Sequence, residues 1–402
     1  MWVESSPMCI LTIKLCYLNA MRNTGGSPRV RLLASSSLAS LVKACLAVAS
    51  GLLLAVPAKA QTAFQDQKEL FTTPRSYVVP HTDQTLTPDG SLQESDWQKA
   101  PWTTDFVDIE GAAKPRPTWQ TRVKMLWNDS TLFIAATLQE PQLWATQTRH
   151  DDIIFKDNDF EVFINPGNNT HQYFEIEFNA LNQTFDLFLP KPYRNQGDAL
   201  VSWYPEGLRS GVQLIGTLNQ PQDIDQGWTV EMAIPLKSLR MGYPWQVPAE
   251  GTLWRINFSR VEWDTDVSGG NISKRKNVGG RELPEHNWVW SPQGVIDMHY
   301  PERWGYLQFS WQDGTAFRLP YAEQQRRYLW LVYYRQQQHR KKAGRYAVTL
   351  AELGINPQVI LDGRANQLRL LATAEQFTAT ITAAGSAAIR INNEGLTETP
   401  KP

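Results

Sequence analysis

Strict alternation over Tyr173–Asn179 (YFEIEFN) constrains the fold of this chain more than any other feature. Phe174, Ile176 and Phe178 fall on one face of a strand, and Tyr173, Glu175, Glu177 and Asn179 on the other. A half-buried strand normally covers its second face with Thr, Lys or Ser. Here that face is rich in acceptors and flanked by rings, which suits hydroxyl-rich ligands or a metal ion. The strand sits in a longer run, Phe155–Leu189, that reads as three successive strands.

Similar short runs recur along the chain. Thr121–Trp127 and Thr131–Leu138 flank Asn128-Asp129-Ser130, a hairpin signature. Further strands are expected at 160–164, 172–179, 184–189, 211–218, 227–234, 253–262 and 304–310, with one helical turn started by Pro235. Many short strands with almost no helix predict a mainly β protein, an antiparallel β-sandwich of jelly-roll or immunoglobulin-like type, over 77–312.

The pattern changes after Leu319. Residues 321–342 lack proline and glycine and read as a basic helix with an apolar run, Tyr328–Tyr334. Thr349 and Glu352 form a capping-box pattern for a second short helix, and strand-like runs return over 358–392. Residues 313–402 are therefore expected to form a helix-plus-strand extension. Its helix 321–342 either packs on the protein or contacts a partner protein or a membrane surface through its charges.

The N-terminal 60 residues read as an export signal. Arg22, Arg29, Arg31 and Lys43 precede a 13-residue apolar run, Ala44–Val56, which ends at Ala58-Lys59-Ala60, a small-x-small cleavage pattern. Met21 is the expected start, and 61–76 an expected linker. Cleavage after Ala60 removes Cys9, Cys16 and Cys45, all the cysteines of the chain. A bacterial periplasmic or secreted location follows as an expectation. The remaining 61–402 carries 33 Lys and Arg against 39 Asp and Glu, a net charge of −6. That balance excludes a generally basic protein that coats nucleic acid.

Five ordered stretches resemble the family 9 carbohydrate-binding modules and their bacterial relatives, within the wider group of DOMON-like sandwiches. They are Thr87–Ala100 (TPDGSLQESDWQKA), Val123–Leu138, Asp157–Pro166 (DNDFEVFINP), Gly227–Pro235 (GWTVEMAIP) and Trp288–Phe309, and together they cover roughly 83–310. The resemblance implies a non-catalytic domain that holds a sugar between two aromatic rings, with calcium supporting its loops. The second ring position is most similar to Trp290, beside Trp288, and the first falls near Phe155. The strand glutamate of the family matches Glu161. Where the family has a basic residue on the next strand, this chain has an acid at or near Glu175. An oligosaccharide or polysaccharide partner, and a role in carbohydrate catabolism, are what this resemblance implies.

The candidate ligand-binding residues are thus Phe155, Glu161, Glu175, Glu177, Asn179, Trp288 and Trp290, with Trp263 as a further ring. Asp157 and Asp159 are the candidate calcium ligands, because Asp157-Asn158-Asp159 resembles the start of a calcium loop. A covered indole buries roughly 150–250 Å². Half of that contributes about 2–3 kcal/mol, whereas a millimolar complex needs about 4 kcal/mol, so one ring alone does not hold a sugar. The glycine-rich insertion between Val261 and Glu285 offers Lys274, Arg275, Lys276 and Arg281 to an anionic group. Two other readings stay open. A carboxylate pair could act as the acid and base of a glycosidase, or the domain could be a structural envelope module whose partner is a protein.

Overall fold

The structure, a computed structural model, describes residues 73–241 and 246–400. The expected export signal and all but the last few residues of the expected linker lie outside the described residues.

Two sheets form the sandwich. One is four-stranded, with β3 (Thr121–Trp127), β4 (Thr131–Gln139), β9 (Gly227–Pro235) and β8 (Arg209–Ile215) in that order. The other runs β1 (Ser76–Pro80), β14 (Gly305–Ser310), β10 (Leu253–Glu262), β5 (Asp159–Asn165), β6 (Tyr173–Asn179), β7 (Thr184–Leu189). Two short strands, β13 (His286–Val289) and β2 (Val107–Asp108), continue it beyond β10. All pairings in both sheets are antiparallel except β1 with β14, which run parallel. β1 begins at Ser76, one residue ahead of the expected boundary.

The β3–β4 hairpin forms for the reason its sequence suggests. Asn128 Oδ1 accepts from the Ser130 backbone N–H at 3.0 Å and fixes the turn. Gly227 starts β9 at φ 140°, where an added Cβ would lie 2.0 Å from the Leu138 carbonyl oxygen; only glycine fits there.

The alternating apolar residues meet between the sheets. Phe160, Val162, Phe174, Ile176 and Phe258 from the larger sheet pack against Val123, Met125, Trp127, Trp228 and Val230 from the smaller one. Trp288 and Trp290 belong to this core. The opposite face of the larger sheet is also buried, because Ile109, Val289, Met298 and Trp304 cover one end of it against Phe163, Tyr173 and Leu189. A short helix, α1 (Ser95–Lys99), places Trp97 on the outside of the smaller sheet.

The extension forms as expected. Helix α2 (Tyr321–Ala343) stops at Gly344, whose φ of 72° lets its N–H reach the Arg340 carbonyl. It packs on a five-stranded antiparallel sheet of β15 (Gln358–Leu361), β16 (Arg364–Ala372), β17 (Phe377–Ala383), β18 (Ile389–Asn392) and β19 (Thr397–Glu398). The Thr349–Glu352 capping box is made, with Glu352 N–H donating to Thr349 Oγ1 at 3.2 Å. It closes a turn and not a second helix, because the chain reverses at Gly354, whose N–H donates to the Ala351 carbonyl at 2.9 Å. All seven residues of Tyr328–Tyr334 are buried within the protein. Of the two expected placements of helix 321–342, this burial fits the one in which it packs on the protein. Arg327 and Gln338 are exposed along it, as is its end with Arg340, Lys341 and Lys342.

Candidate functional site

β5, β6 and β10 build the site on the outward face of the larger sheet. Because side chains alternate, burying Phe160, Val162 and Ile164 in the core turns Asp159 and Glu161 outward. The same logic turns Glu175 and Glu177 outward from β6, and Ser259 and Val261 outward from β10. Register then brings acids together. Glu161 stands opposite Glu177 on one side and opposite Ser259 on the other.

Asp159, Glu161, Glu175 and Glu177 are all buried. Burial pushes the Glu161 carboxyl up to about 7. It raises Asp159, Glu175 and Glu177 well above the usual carboxylate range, and their neighbouring carboxylates add to the shift. Few hydrogen bonds offset this. Asp159 Oδ1 accepts from the Val261 N–H at 3.0 Å, and Glu177 Oε2 from the Phe155 N–H at 3.2 Å. Asp159 Oδ2 and Glu175 Oε2 are buried without a hydrogen-bond partner, while the Ser259 hydroxyl lies against Glu161 and partly offsets the rise of its pKa.

The rim carries rings. Phe155 is 43% exposed and Tyr193 is 45% exposed. Trp263 is held beside Phe155 by its indole N–H, which donates to the Phe155 carbonyl at 2.9 Å. Lys274 Nζ lies 3.2 Å from the centre of the Trp263 ring. Tyr193 touches His299 edge to face, with ring centres 4.5 Å apart. Burial holds His299 neutral, with its pKa lowered to about 4. Its Nδ1 meets the Tyr173 hydroxyl at 2.9 Å, and its Nε2 faces Glu175 at 3.9 Å. Burial, with Glu175 and Glu177 nearby, raises the Tyr193 hydroxyl to about 12.

Several sequence expectations need correcting. Trp290 is 1% exposed and packs against Phe258 and over Gly305, where an added Cβ would meet Trp290 Cζ3 at 2.3 Å. Trp288 is buried beside Arg260 and His286. Neither ring offers an open face, since alternation sends both into the core. Asn179 is likewise engaged: its Nδ2 donates to the Gln147 carbonyl and to Asp157, while its Oδ1 accepts from Leu181 and Gln183. It shapes the β6–β7 turn and has no group left for a ligand.

Asp157 does not fit a calcium site. Its carboxylate accepts from the Thr146 and Gln147 N–H groups at 2.9 Å, from Thr146 Oγ1 at 2.7 Å and from Asn179 Nδ2 at 3.0 Å. Three of those bonds fall on Oδ2 and one on Oδ1, so the carboxylate is already committed to holding the loop. Asp159 turns away from it toward Glu161 and Glu177. The insertion after Val261 is a hairpin, β11 (Thr265–Ser268) with β12 (Asn271–Lys274), and Arg275 in it pairs with Asp266 at 2.9 Å.

Phe155, Glu161, Glu175 and Glu177 thus lie near one another on this face. Tyr193, Ser259 and His299 join them. The sequence signalled none of these three as site residues, since they arrive from a one-turn helix, a strand read only for its apolar residues, and a loop.

Two packed sheets, with an acid-floored and aromatic-rimmed surface on the outer face of one, define a β-sandwich module. Residues 89–288 match the family described as carbohydrate family 9 binding domain-like, and over that span the chain is a family 9 carbohydrate-binding module-like protein. A proposed carbohydrate-binding protein from Bacteroides uniformis is 15% identical, with a TM-score of 0.44, covering 59% of this chain and 100% of its own. A family 9 module from Caldicellulosiruptor kristjanssonii in complex with cellotriose is 12% identical, with a TM-score of 0.39, covering 61% of this chain and 100% of its own. No curated protein matches the chain.

Proposed function

We propose that this protein binds carbohydrate in the cleft floored by Glu161, Glu175 and Glu177 and rimmed by Phe155, Tyr193 and Trp263. The family match supports the ligand class. The observation that carries the site is Glu175, whose buried Oε2 lacks a partner near the half-exposed ring of Tyr193. A carboxylate in that state takes hydrogen bonds from sugar hydroxyls, and the rings cover the apolar face of the sugar.

The arrangement favours binding over cleavage. A glycosidase places its two carboxyls on either side of the scissile bond. Here the acids lie side by side on one sheet face.

Export to a bacterial periplasm or beyond, and service to carbohydrate catabolism, complete the proposal. The export reading rests on the basic and apolar pattern of Arg22–Ala60. N-terminal sequencing of the protein recovered from cell fractions tests it; a protein that stays cytoplasmic and uncleaved would refute it.

Tryptophan fluorescence tests the site, because Trp263 stands at the rim. Saturable change with one oligosaccharide of a neutral and acidic panel, weakened by Glu175→Gln, is the expected result. No response to any glycan, with the fold intact, would overturn the reading.

A further inference from the structure

We infer that the C-terminal extension is a working part of the cleft, because its helix α2 holds the rim residues Tyr193 and His299 in place through Arg194 and Asn195. The inference rests on the sugar reading for its ligand, and for nothing else.

Tyr193, Arg194 and Asn195 form a single helical turn. With three residues per turn, their side chains point in three directions. Tyr193 goes to the rim and meets His299. Arg194 and Asn195 go to the extension. One isolated turn has no stability of its own, so whatever grips these two residues decides where the Tyr193 ring stands.

Arg194 is the centre of the grip. Its Nη2 donates to Glu302 at 2.9 Å and its Nη1 to the His299 carbonyl at 3.4 Å. Its guanidinium lies 4.3 Å from the centre of the Tyr300 ring and 5.6 Å from that of Trp330 on α2. Glu302 is buried and accepts a second bond, from the Tyr334 hydroxyl of α2 at 2.6 Å. The segment that carries His299 and the turn that carries Tyr193 are therefore fastened to each other and to one helix. Trp330, Tyr333 and Tyr334 share a face of that helix because they stand three and four apart.

Asn195 adds a second fastening. Its Nδ2 donates to the Glu394 carbonyl, and its Oδ1 accepts from the Tyr333 hydroxyl at 3.2 Å. Glu394 lies in the β18–β19 turn. Its neighbour Gly395 sits on Trp330, where an added Cβ would meet Cη2 at 2.7 Å. The apolar run Tyr328–Tyr334 thus gains a use beyond packing, since three of its rings hold the rim. Arg194 and Asn195 are positioning residues. A glycan that needs the Tyr193 ring binds more weakly in proportion to the molecules in which that ring has left its place.

The test compares the whole protein with Arg194→Lys, Asn195→Ala, Tyr193→Leu and Arg390→Ala, the last breaking an exposed ion pair with Glu398 in the extension sheet. Two quantities are read beside melting curves: glycan affinity by calorimetry, and the His299 ring resonance in carbon-13 histidine-labelled protein, assigned by its loss in His299→Gln. Tyr193→Leu marks where that resonance lies without the neighbouring ring. Arg194→Lys and Asn195→Ala should each move it toward that position and weaken glycan binding about fivefold, with the melting temperature of Asn195→Ala unchanged. Arg390→Ala should match wild type in both. Should Arg194→Lys melt well below wild type, Asn195→Ala alone decides. A His299 resonance that stays put in Asn195→Ala, or glycan affinity that is unchanged although the resonance moves, would overturn the inference. A folded wild type that binds no glycan would overturn the sugar reading, and the His299 resonance would then uphold or overturn the clamp by itself.

Discussion

Glu161 and Glu177 face each other directly across β5 and β6, two buried carboxyls in one cross-strand pair. Like charges in that position destabilise a sheet. Glu177→Gln should therefore stabilise the protein by about 1 kcal/mol, read by urea denaturation at pH 7.5.

One of the buried polar clusters that tie the extension to the sandwich centres on Arg255. Arg255 Nη2 donates to Glu323 at 3.1 Å, and Arg255 Nε donates to Asn168 at 3.0 Å. The Arg255 guanidinium also lies 3.8 Å from the centre of the Tyr306 ring. Arg255→Ala leaves Glu323 buried with less compensation and should cost about 3 kcal/mol. Limited proteolysis should then cut within 313–320 sooner than in wild type.

Most of the expected strands lie within two residues of the observed ones, because alternation is a local property; the expected 211–218 runs three residues past the end of β8 (Arg209–Ile215), and the short strands β2 and β13 were not expected. Phe174, Ile176 and Phe178 name the inner face of β6 without help from the rest of the chain. What covers the outer face is not local. Trp288 and Trp290 read as platform rings by their resemblance to family positions, and β13 turns them into the core. Asp157 and Asn179 read as ligand residues by chemistry, yet they close loops around each other. Tyr193 and His299 reach the cleft only because the segments after β7 and β13 fold over one sheet face, a tertiary fact that spacing does not carry.

The two kinds of ring can be separated by substitution. Trp290→Ala should cost about 3–5 kcal/mol of stability, as a large buried side chain does. Phe155→Ala should change stability by no more than about 0.5 kcal/mol and weaken sugar binding roughly tenfold, about 1.4 kcal/mol. Melting curves beside binding titrations check both.

His171 gives the fold an acid limit. It is buried in the β5–β6 connection, and burial lowers its pKa from 6.5 to about 4. The unfolded chain therefore binds the proton first as pH falls. The stabilisation is full above pH 6.5 and is lost progressively between about 6.5 and 4. The loss is on the order of 2–3 kcal/mol. His171→Gln should flatten that part of the stability profile, measured by denaturant midpoints at half-unit pH steps.

Direct titration of a glycan panel into the protein by calorimetry, with Glu175→Gln measured in parallel, tests the central claim of sugar binding at this cleft. Saturable heat with at least one glycan, and about tenfold weaker binding in Glu175→Gln at unchanged melting temperature, is the predicted result. Binding that is the same in both proteins, or no binding to any glycan by a folded wild type, would contradict it.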